Sequence, residues 1–209
     1  MAVLRKVGWM AIKTLFLPGA GGSASFWKPV ADRTGLESVL FAWPGLGNEP
    51  ADPAVSGIDD LVAMVLERMT ERVNIVAQSM AGIVAIKAAS AMPESVHRLV
   101  LAATSAGVPV SDLGGSDWRP DYYRAFPRAA RWIGELVADL SSQIGLIAAP
   151  TLLLWGDRDP ISPVSVGKRL GVLLPNATLR VIPGADHDLA QTNVALVAEL
   201  IARHLTEAL

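Results

Sequence analysis

Three residue types in this chain could together perform acyl-transfer chemistry: a serine at a tight turn, a histidine after a late strand, and an aspartate between them. Ser79 lies in Ala77-Gln78-Ser79-Met80-Ala81-Gly82, with the apolar run Val73 to Ala77 before it and a helical segment immediately after. A residue at so sharp a junction is held in strained backbone geometry and projects its side chain off the top of a sheet. Strand and helix pass close there, so small residues are needed two positions either side, and Ala77 and Ala81 are small. This is the nucleophile-elbow layout with alanine at both usual glycine positions. A serine at this place also suits a plain helix N-cap. A serine hydroxyl becomes a useful nucleophile only beside a base, usually a histidine oriented by a carboxylate. Of the three histidines, His97 precedes a strand, at the wrong end of a parallel sheet. His204 lies in the last helix, near its C-terminus, where a histidine meets the helix dipole favourably. His187, in Ile182-Pro183-Gly184-Ala185-Asp186-His187-Asp188, follows a strand end. Between serine and histidine, Trp155-Gly156-Asp157-Arg158-Asp159-Pro160 offers two acids. Asp157 is nearer the strand and reads as a partner of Arg158 or a cap of the loop, which favours Asp159. An oxyanion needs two preorganised backbone N–H groups. Met80, directly after the serine, offers one. The glycine-rich turn Gly19-Ala20-Gly21-Gly22 offers another, at Ala20. As a phosphate loop that turn fails, because it matches neither G-x-G-x-x-G nor the P-loop pattern with its lysine.

The elements that must position these residues alternate short β-rich runs with helical ones, the signature of βαβ units. Strands are expected at Ile12 to Leu17, Ser38 to Ala42, Val73 to Ala77, Arg98 to Ala103, Thr151 to Trp155 and Thr178 to Ile182. Helices are expected at Ser25 to Arg33, 58–70, Ser79 to Ala91, Arg128 to Leu140, 163–173 and 188–206. In 58–70 the apolar positions Leu61, Val62, Val65, Leu66 and Met69 fall at spacings of three and four. The expected class is α/β: a mostly parallel sheet of about six strands with right-handed crossovers, whose chemistry lies beyond the C-terminal strand ends. Residues 105 to about 130 break the alternation, with several Gly and Pro and with Trp118, Tyr122, Tyr123 and Phe126 among them. Long loops in compact domains are usually functional, and aromatic content argues against disorder. A lid over 105–140 within a single domain spanning 1–209 is therefore expected.

Composition narrows the function classes. Of 209 residues, 51% are hydrophobic and 18% charged, more apolar than an average soluble domain, as a sheet covered on both faces would be. The longest stretch free of Asp, Glu, Lys and Arg, Leu140 to Gly156, contains Ser141, Ser142, Gln143 and Pro150. It falls short of the ~20 apolar residues of a spanning helix. A net charge of −2 gives no electrostatic footprint for nucleic acid or anionic lipid. With no cysteine, disulfide scaffolds, thiol nucleophiles and thiolate metal sites are excluded. Near the start, Lys13 interrupts the apolar stretch and Pro18-Gly19 ends it, which is too short for a signal peptide. A cytoplasmic protein is expected, and a natural start at Met10 would fit the onset of the strand pattern.

Five segments in order carry a family resemblance over nearly the whole chain: Leu17 to Trp27 with its Pro-Gly-Ala-Gly-Gly, Trp43-Pro-Gly-Leu-Gly47, Ala77 to Gly82, Ala149 to Asp159, and Ile182 to His187. The chain resembles the α/β-hydrolase superfamily. The resemblance implies Ser79 as nucleophile, His187 as base and Asp159, at the fourth position of Gly-x-x-Asp, as the orienting acid. It implies N–H groups of Ala20 and Met80 as the oxyanion hole. Three positions depart from the family pattern: Pro18 stands where His is usual, Trp43 where Asp often precedes Pro-Gly, and Asp186 where Gly usually precedes the histidine. A serine nucleophile separates the chain from dehalogenase-type members, which use Asp.

The activity so implied is hydrolysis of a small ester-like substrate through an acyl-enzyme, with no metal and no organic cofactor. Trp27, Trp43, Trp118, Tyr122, Tyr123 and Phe126 would line an apolar or aromatic acyl pocket, or simply pack a lid. Thioesterase, lactonase and lyase or eliminase chemistry use the same residues. A ligand receptor with vestigial activity is the alternative outside enzymes. A short chain with so small a lid implies a shallow, open pocket and small or accessible substrates.

Overall fold

Along each central strand, successive side chains enter opposite layers. In the computed structural model, which describes residues 12–207, Leu15, Leu17, Ile75, Leu99, Leu101, Leu153 and Trp155 join one core. Phe16, Val76, Val100, Ala102, Leu152 and Leu154 join a second core on the other face. This period of two, apolar on both faces, is what a parallel sheet covered on both sides requires. The strands are β1 (Thr14–Leu17), β2 (Ser38–Leu40), β3 (Val73–Gln78), β4 (Val96–Ala102), β5 (Thr151–Gly156) and β6 (Ala177–Ile182). They form one sheet in the order β2-β1-β3-β4-β5-β6, and every pairing is parallel.

The α-helices are α1 (Lys28–Thr34), α2 (Ile58–Leu66), α3 (Ala81–Ala91), α4 (Arg119–Ala125), α5 (Trp132–Glu135), α6 (Ser141–Ile144), α7 (Val164–Leu173), α8 (Leu189–Thr192) and α9 (Val194–Thr206). Helices α1 and α9 pack together over the Phe16–Val76–Val100 face. Helices α2, α3 and α7 cover the other. In α3 nearly every residue is buried, which suits its run of Ala, Ile and Val and its short side chains against β3.

The order reverses at β1, which sends β2 to one side and β3 to the other. Such a switch point leaves a crevice at the C-terminal strand ends. In the register Leu17 lies beside Ala77, so the turn after β1 and the turn after β3 emerge side by side. The Ala20 turn and Ser79 are brought together by topology alone.

The expected strands and most helices are present, with ends shifted by a few residues. Three expectations are corrected. The 188–206 helix is two, α8 and α9, separated at Asn193. The helix begins at Ala81, because Ser79 itself is left-handed at φ 55. The Arg128 to Leu140 helix is not formed; α5 alone is helical there, and α4 precedes it. The segment bonds to its surroundings instead: Ala130 N–H donates to Gly45 O (2.8 Å), and the Tyr123 hydroxyl braces only α5 itself, donating to the Arg131 carbonyl (3.0 Å) and accepting from the Gly134 N–H (3.1 Å). After Glu135 the backbone turns extended at Leu136, and Leu140 N–H bonds back to Gly107. A start at Met10 lies outside the described residues.

Candidate active site

Ser79 closes β3. Its N–H donates to Ala102 O at 2.9 Å, the last rung of the β3–β4 ladder, and its φ of 55 then swings the chain into α3. A non-glycine residue in this region costs on the order of 1–2 kcal/mol, a strain found mostly at functional turns. The helix can start so abruptly because Gly82 lies against Thr104; a Cβ there would overlap the Thr104 side chain. Met80 and Ala81 follow, and the Met80 N–H makes no intramolecular hydrogen bond among the described residues.

The Ser79 hydroxyl lies 3.0 Å from His187 Nε2, and His187 Nδ1 lies 2.8 Å from Asp159 Oδ2. The three residues are brought together from the ends of β3, β5 and β6. Asp159 is fully buried at its side chain, and His187 keeps 16% of its side-chain surface exposed. The other carboxylate oxygen of Asp159 accepts from the N–H groups of Ile161 (2.8 Å) and Ser162 (2.9 Å). That Asx turn is the habit of an aspartate followed by Pro, so Asp159-Pro160 is itself the signal for it. Asp157 does not pair with the site. Its Oδ1 accepts from the Gly184 N–H and so ties the β5 loop to the β6 loop. Gln78, not anticipated from the sequence, donates from Nε2 to the His187 carbonyl at 3.3 Å.

The turn after β1 is held at almost every carbonyl. Gly19 O accepts from Gly22 N–H, and Gly22 O accepts from Trp43 N–H. Leu17 O accepts from the Trp27 indole (2.9 Å) and Pro18 O from the Trp43 indole (2.6 Å). Ala20 O accepts from the Tyr122 hydroxyl at 2.8 Å. The Ala20 N–H carries no intramolecular hydrogen bond among the described residues. Gly19 has no room for a side chain, since a Cβ would overlap Gln78 Oε1 and stand 3.0 Å from Ser79 Cβ. The turn therefore lies directly against the serine. Of the three departures from the family pattern, Trp43 supplies the indole that holds the Pro18 backbone carbonyl.

Trp27 and Trp43 are 1% and 0% exposed. They offer no surface to a substrate and act as braces of the turn, which corrects their expected place in a pocket. Trp118, Tyr123 and Phe126 gather round Tyr122 with ring centroids 5.2–5.3 Å from it, all half-buried. Tyr122 hydroxyl also accepts from Gly47 N–H at 3.0 Å. Gly47 has φ 56, and a Cβ on it would overlap Gly21 O, so the β1 and β2 turns meet backbone to backbone. Burial pushes the Tyr122 phenol up from its ordinary value, keeping its proton for donation.

His204 is far from the serine and sits 3.2 Å from both Leu99 O and Pro150 O. Among the described residues no group of three His, Asp or Glu side chains is placed to hold a metal ion, and no helix is long and apolar enough to cross a membrane. An open groove of about 470 Å³ lined by Val108, Pro109, Ser141, Arg169, Val172 and Leu173 includes none of the residues above.

The chain is similar to known hydrolases. It is 27% identical to the 2-hydroxy-6-oxononadienedioate/2-hydroxy-6-oxononatrienedioate hydrolase of Cupriavidus pinatubonensis, over 81% of this chain and 77% of that protein. It is 28% identical to the poly(3-hydroxyalkanoate) depolymerase of Ectopseudomonas oleovorans, over 82% and 76%. Among solved structures, the meta-cleavage product hydrolase of Pseudomonas fluorescens superposes with a TM-score of 0.77 at 20% identity, covering 96% of this chain and 92% of that one. A thermophilic esterase from Thermogutta terrifontis does so with 0.73 at 18%, covering 94% and 92%. The family model described as "Alpha/beta hydrolase family" matches residues 14–200. With its six-stranded parallel sheet and this match over most of its length, the chain belongs to the alpha/beta hydrolase family.

Proposed function

We propose that the protein is a serine hydrolase that cleaves a small ester-like substrate through an acyl-enzyme on Ser79. The observation that carries this reading is the unbroken hydrogen-bond chain Asp159–His187–Ser79, ending at a strained serine with the idle N–H of Met80 next in the chain and the Ala20 turn packed against it. His187 takes the hydroxyl proton as Ser79 Oγ attacks the carbonyl carbon. The carbonyl oxygen, now an oxyanion, is held by the N–H groups of Met80 and Ala20. Collapse breaks the bond to the leaving alkoxide, which receives the proton from His187. Water, deprotonated by His187, then attacks the acyl carbon and releases the acid, restoring the Ser79 hydroxyl. Asp159 holds the proton of His187 on Nδ1 and steadies the imidazolium at each step. No residue in the sequence of events requires a metal or organic cofactor.

The neutral ester is preferred to the dicarboxylate named for the Cupriavidus relative because Asp186 and Asp188, both exposed, flank His187, and no ion pair engages either of them among the described residues. The test is turnover of p-nitrophenyl acetate and butyrate, with Ser79→Ala as control. Turnover is expected in the wild type and a loss of about 10³-fold or more in the variant. A fluorophosphonate should add covalently to Ser79. Ester turnover that survives Ser79→Ala would refute the mechanism.

A further inference from the structure

We infer that Tyr122 is a positioning residue: its hydroxyl, reaching in from α4, anchors the Gly19–Gly22 turn that carries the Ala20 N–H, the second oxyanion donor. This rests on the serine-hydrolase reading above and adds a residue to it. Ala20 is the second residue of the tight turn Gly19–Gly22; its N–H lies in the Gly19–Ala20 peptide, and the Ala20–Gly21 peptide joins that donor to the rest of the turn. The carbonyl of the first, Gly19 O, is held by Gly22 N–H within the turn. The carbonyl of the second, Ala20 O, has the Tyr122 hydroxyl as its partner. The same hydroxyl accepts from Gly47 N–H, so its position is fixed at both of its hydrogen bonds. The ring is in turn gripped by Trp118, Tyr123 and Phe126.

The consequence is a link between the 105–140 excursion and catalysis. With the hydroxyl in place, Ala20 N–H is aimed and idle. Without it, the turn loses its anchor to the excursion and shifts as a unit relative to Ser79, carrying the Ala20 N–H off its aim. Donors of this kind act on the transition state rather than on bound substrate, so the loss should fall on kcat and leave KM largely alone. Displacements of about 1 Å in such sites cost on the order of 10²-fold. The effect of losing the hydroxyl is therefore expected at about 10- to 100-fold in kcat.

The experiment compares wild type with Tyr122→Phe, Arg119→Gln and Ser79→Ala on p-nitrophenyl butyrate. It adds the inhibition constant of an alkyl trifluoromethyl ketone, whose hemiketal places a real oxyanion in the site, and the Tm of each protein. Arg119 donates from Nε to Gly134 O (2.7 Å), so its loss loosens the excursion without touching Ala20. Tyr122→Phe is expected to lower kcat by about 10- to 100-fold at near-constant KM and to weaken the ketone by a similar factor. Arg119→Gln should shift Tm while leaving the ketone affinity within about two-fold. Equal losses of ketone affinity in both variants, or an unchanged kcat in a folded Tyr122→Phe, would overturn the assignment while Ser79→Ala stays inactive. Activity retained in Ser79→Ala would instead strike the underlying mechanism.

Discussion

Asp159 spends both of its carboxylate oxygens, and the way it does so makes one exchange unusually informative. Oδ1 is occupied by the N–H groups of Ile161 and Ser162, so the group cannot rotate without losing both. In Asp159→Asn the amide oxygen must stay with those two donors, which turns the NH₂ towards His187 Nδ1. The ring nitrogen facing it then has to accept, and the proton moves to Nε2, where it blocks the Ser79 hydroxyl from giving up its own. The fold is left intact but the tautomer is wrong. A fall of kcat by about 10³- to 10⁴-fold is expected, as for the equivalent exchange in serine proteases, with a Tm near that of the wild type. Kinetics together with thermal melts would check this, and a kcat within ten-fold of wild type would argue that Asp159 does not orient His187.

At the scale of elements, the β3–α3 junction depends on the gap between Gly82 and Thr104. A Cβ at Gly82 would overlap Thr104 Oγ1 and stand 2.7 Å from its Cγ2, so Gly82→Ala must push α3 away from β4. Overpacking of this kind costs about 1–3 kcal/mol, and it should be partly relieved by Thr104→Ala, which removes the two nearest atoms. Urea denaturation of the single and double variants measures this; a double variant no more stable than Gly82→Ala would mean the strain lies elsewhere. The serine turn was legible in the sequence because its own pattern is local, an apolar run, a serine and small residues at fixed offsets, whereas the Thr104 contact of Gly82 was not. The six strands and the serine, histidine and aspartate at strand ends were legible for the same reason, since apolar runs mark the strands and the strands place their own ends; the order of the strands in the sheet was not. The excursion was not. Trp118, Tyr122 and Phe126 stood out only as aromatic residues, because Tyr122 finds its partners 102 and 75 residues away, at Ala20 and Gly47. Trp27 and Trp43 read as pocket or packing for the same reason: no local pattern says which carbonyl an indole N–H will reach. The missed helix break at 128–140 arose because the apolar spacing of Ala129, Ile133, Leu136 and Leu140 mimics a helix, while Ala130 and Leu140 give their N–H groups to Gly45 and Gly107, distant in the sequence.

Across the whole molecule, the two ends of the sheet do different work. The C-terminal strand ends hold the serine, the histidine and the aspartate. Where the β4–β5 pairing begins, at Leu99 and Thr151, α9 is pinned to the sheet by His204. Its Nε2 proton faces two carbonyls, so the neutral ring suits the site. Burial, helped by the charge of Arg98, holds the His204 pKa below its ordinary value, although the two carbonyls and Glu207 pull the other way. His97 is likewise held low by burial, with Arg72 and Arg98 near it. A histidine with a depressed folded pKa takes up protons more readily in the unfolded chain. Between the folded value and the unfolded value near 6.5, the unfolded state binds more protons, so stability rises with pH. The contribution is fully present above about pH 6.5 and is lost as pH falls through the folded pKa. Aspartates held low by their hydrogen bonds, such as Asp60 and the exposed Asp112, titrate further into acid than these histidines. Unfolding free energy should therefore be flat from pH 7 to 8 and fall from pH 6.5 to 5. In His204→Gln, which keeps an N–H donor for Leu99 and Pro150 but cannot titrate, the fall should be visibly shallower. Urea melts across that window decide the matter, and parallel slopes for the two proteins would show that α9 is not held by a neutral histidine. Because His204 lies at the opposite end of the sheet from Ser79, the variant's pH–rate profile for ester hydrolysis should overlay that of the wild type wherever both remain folded.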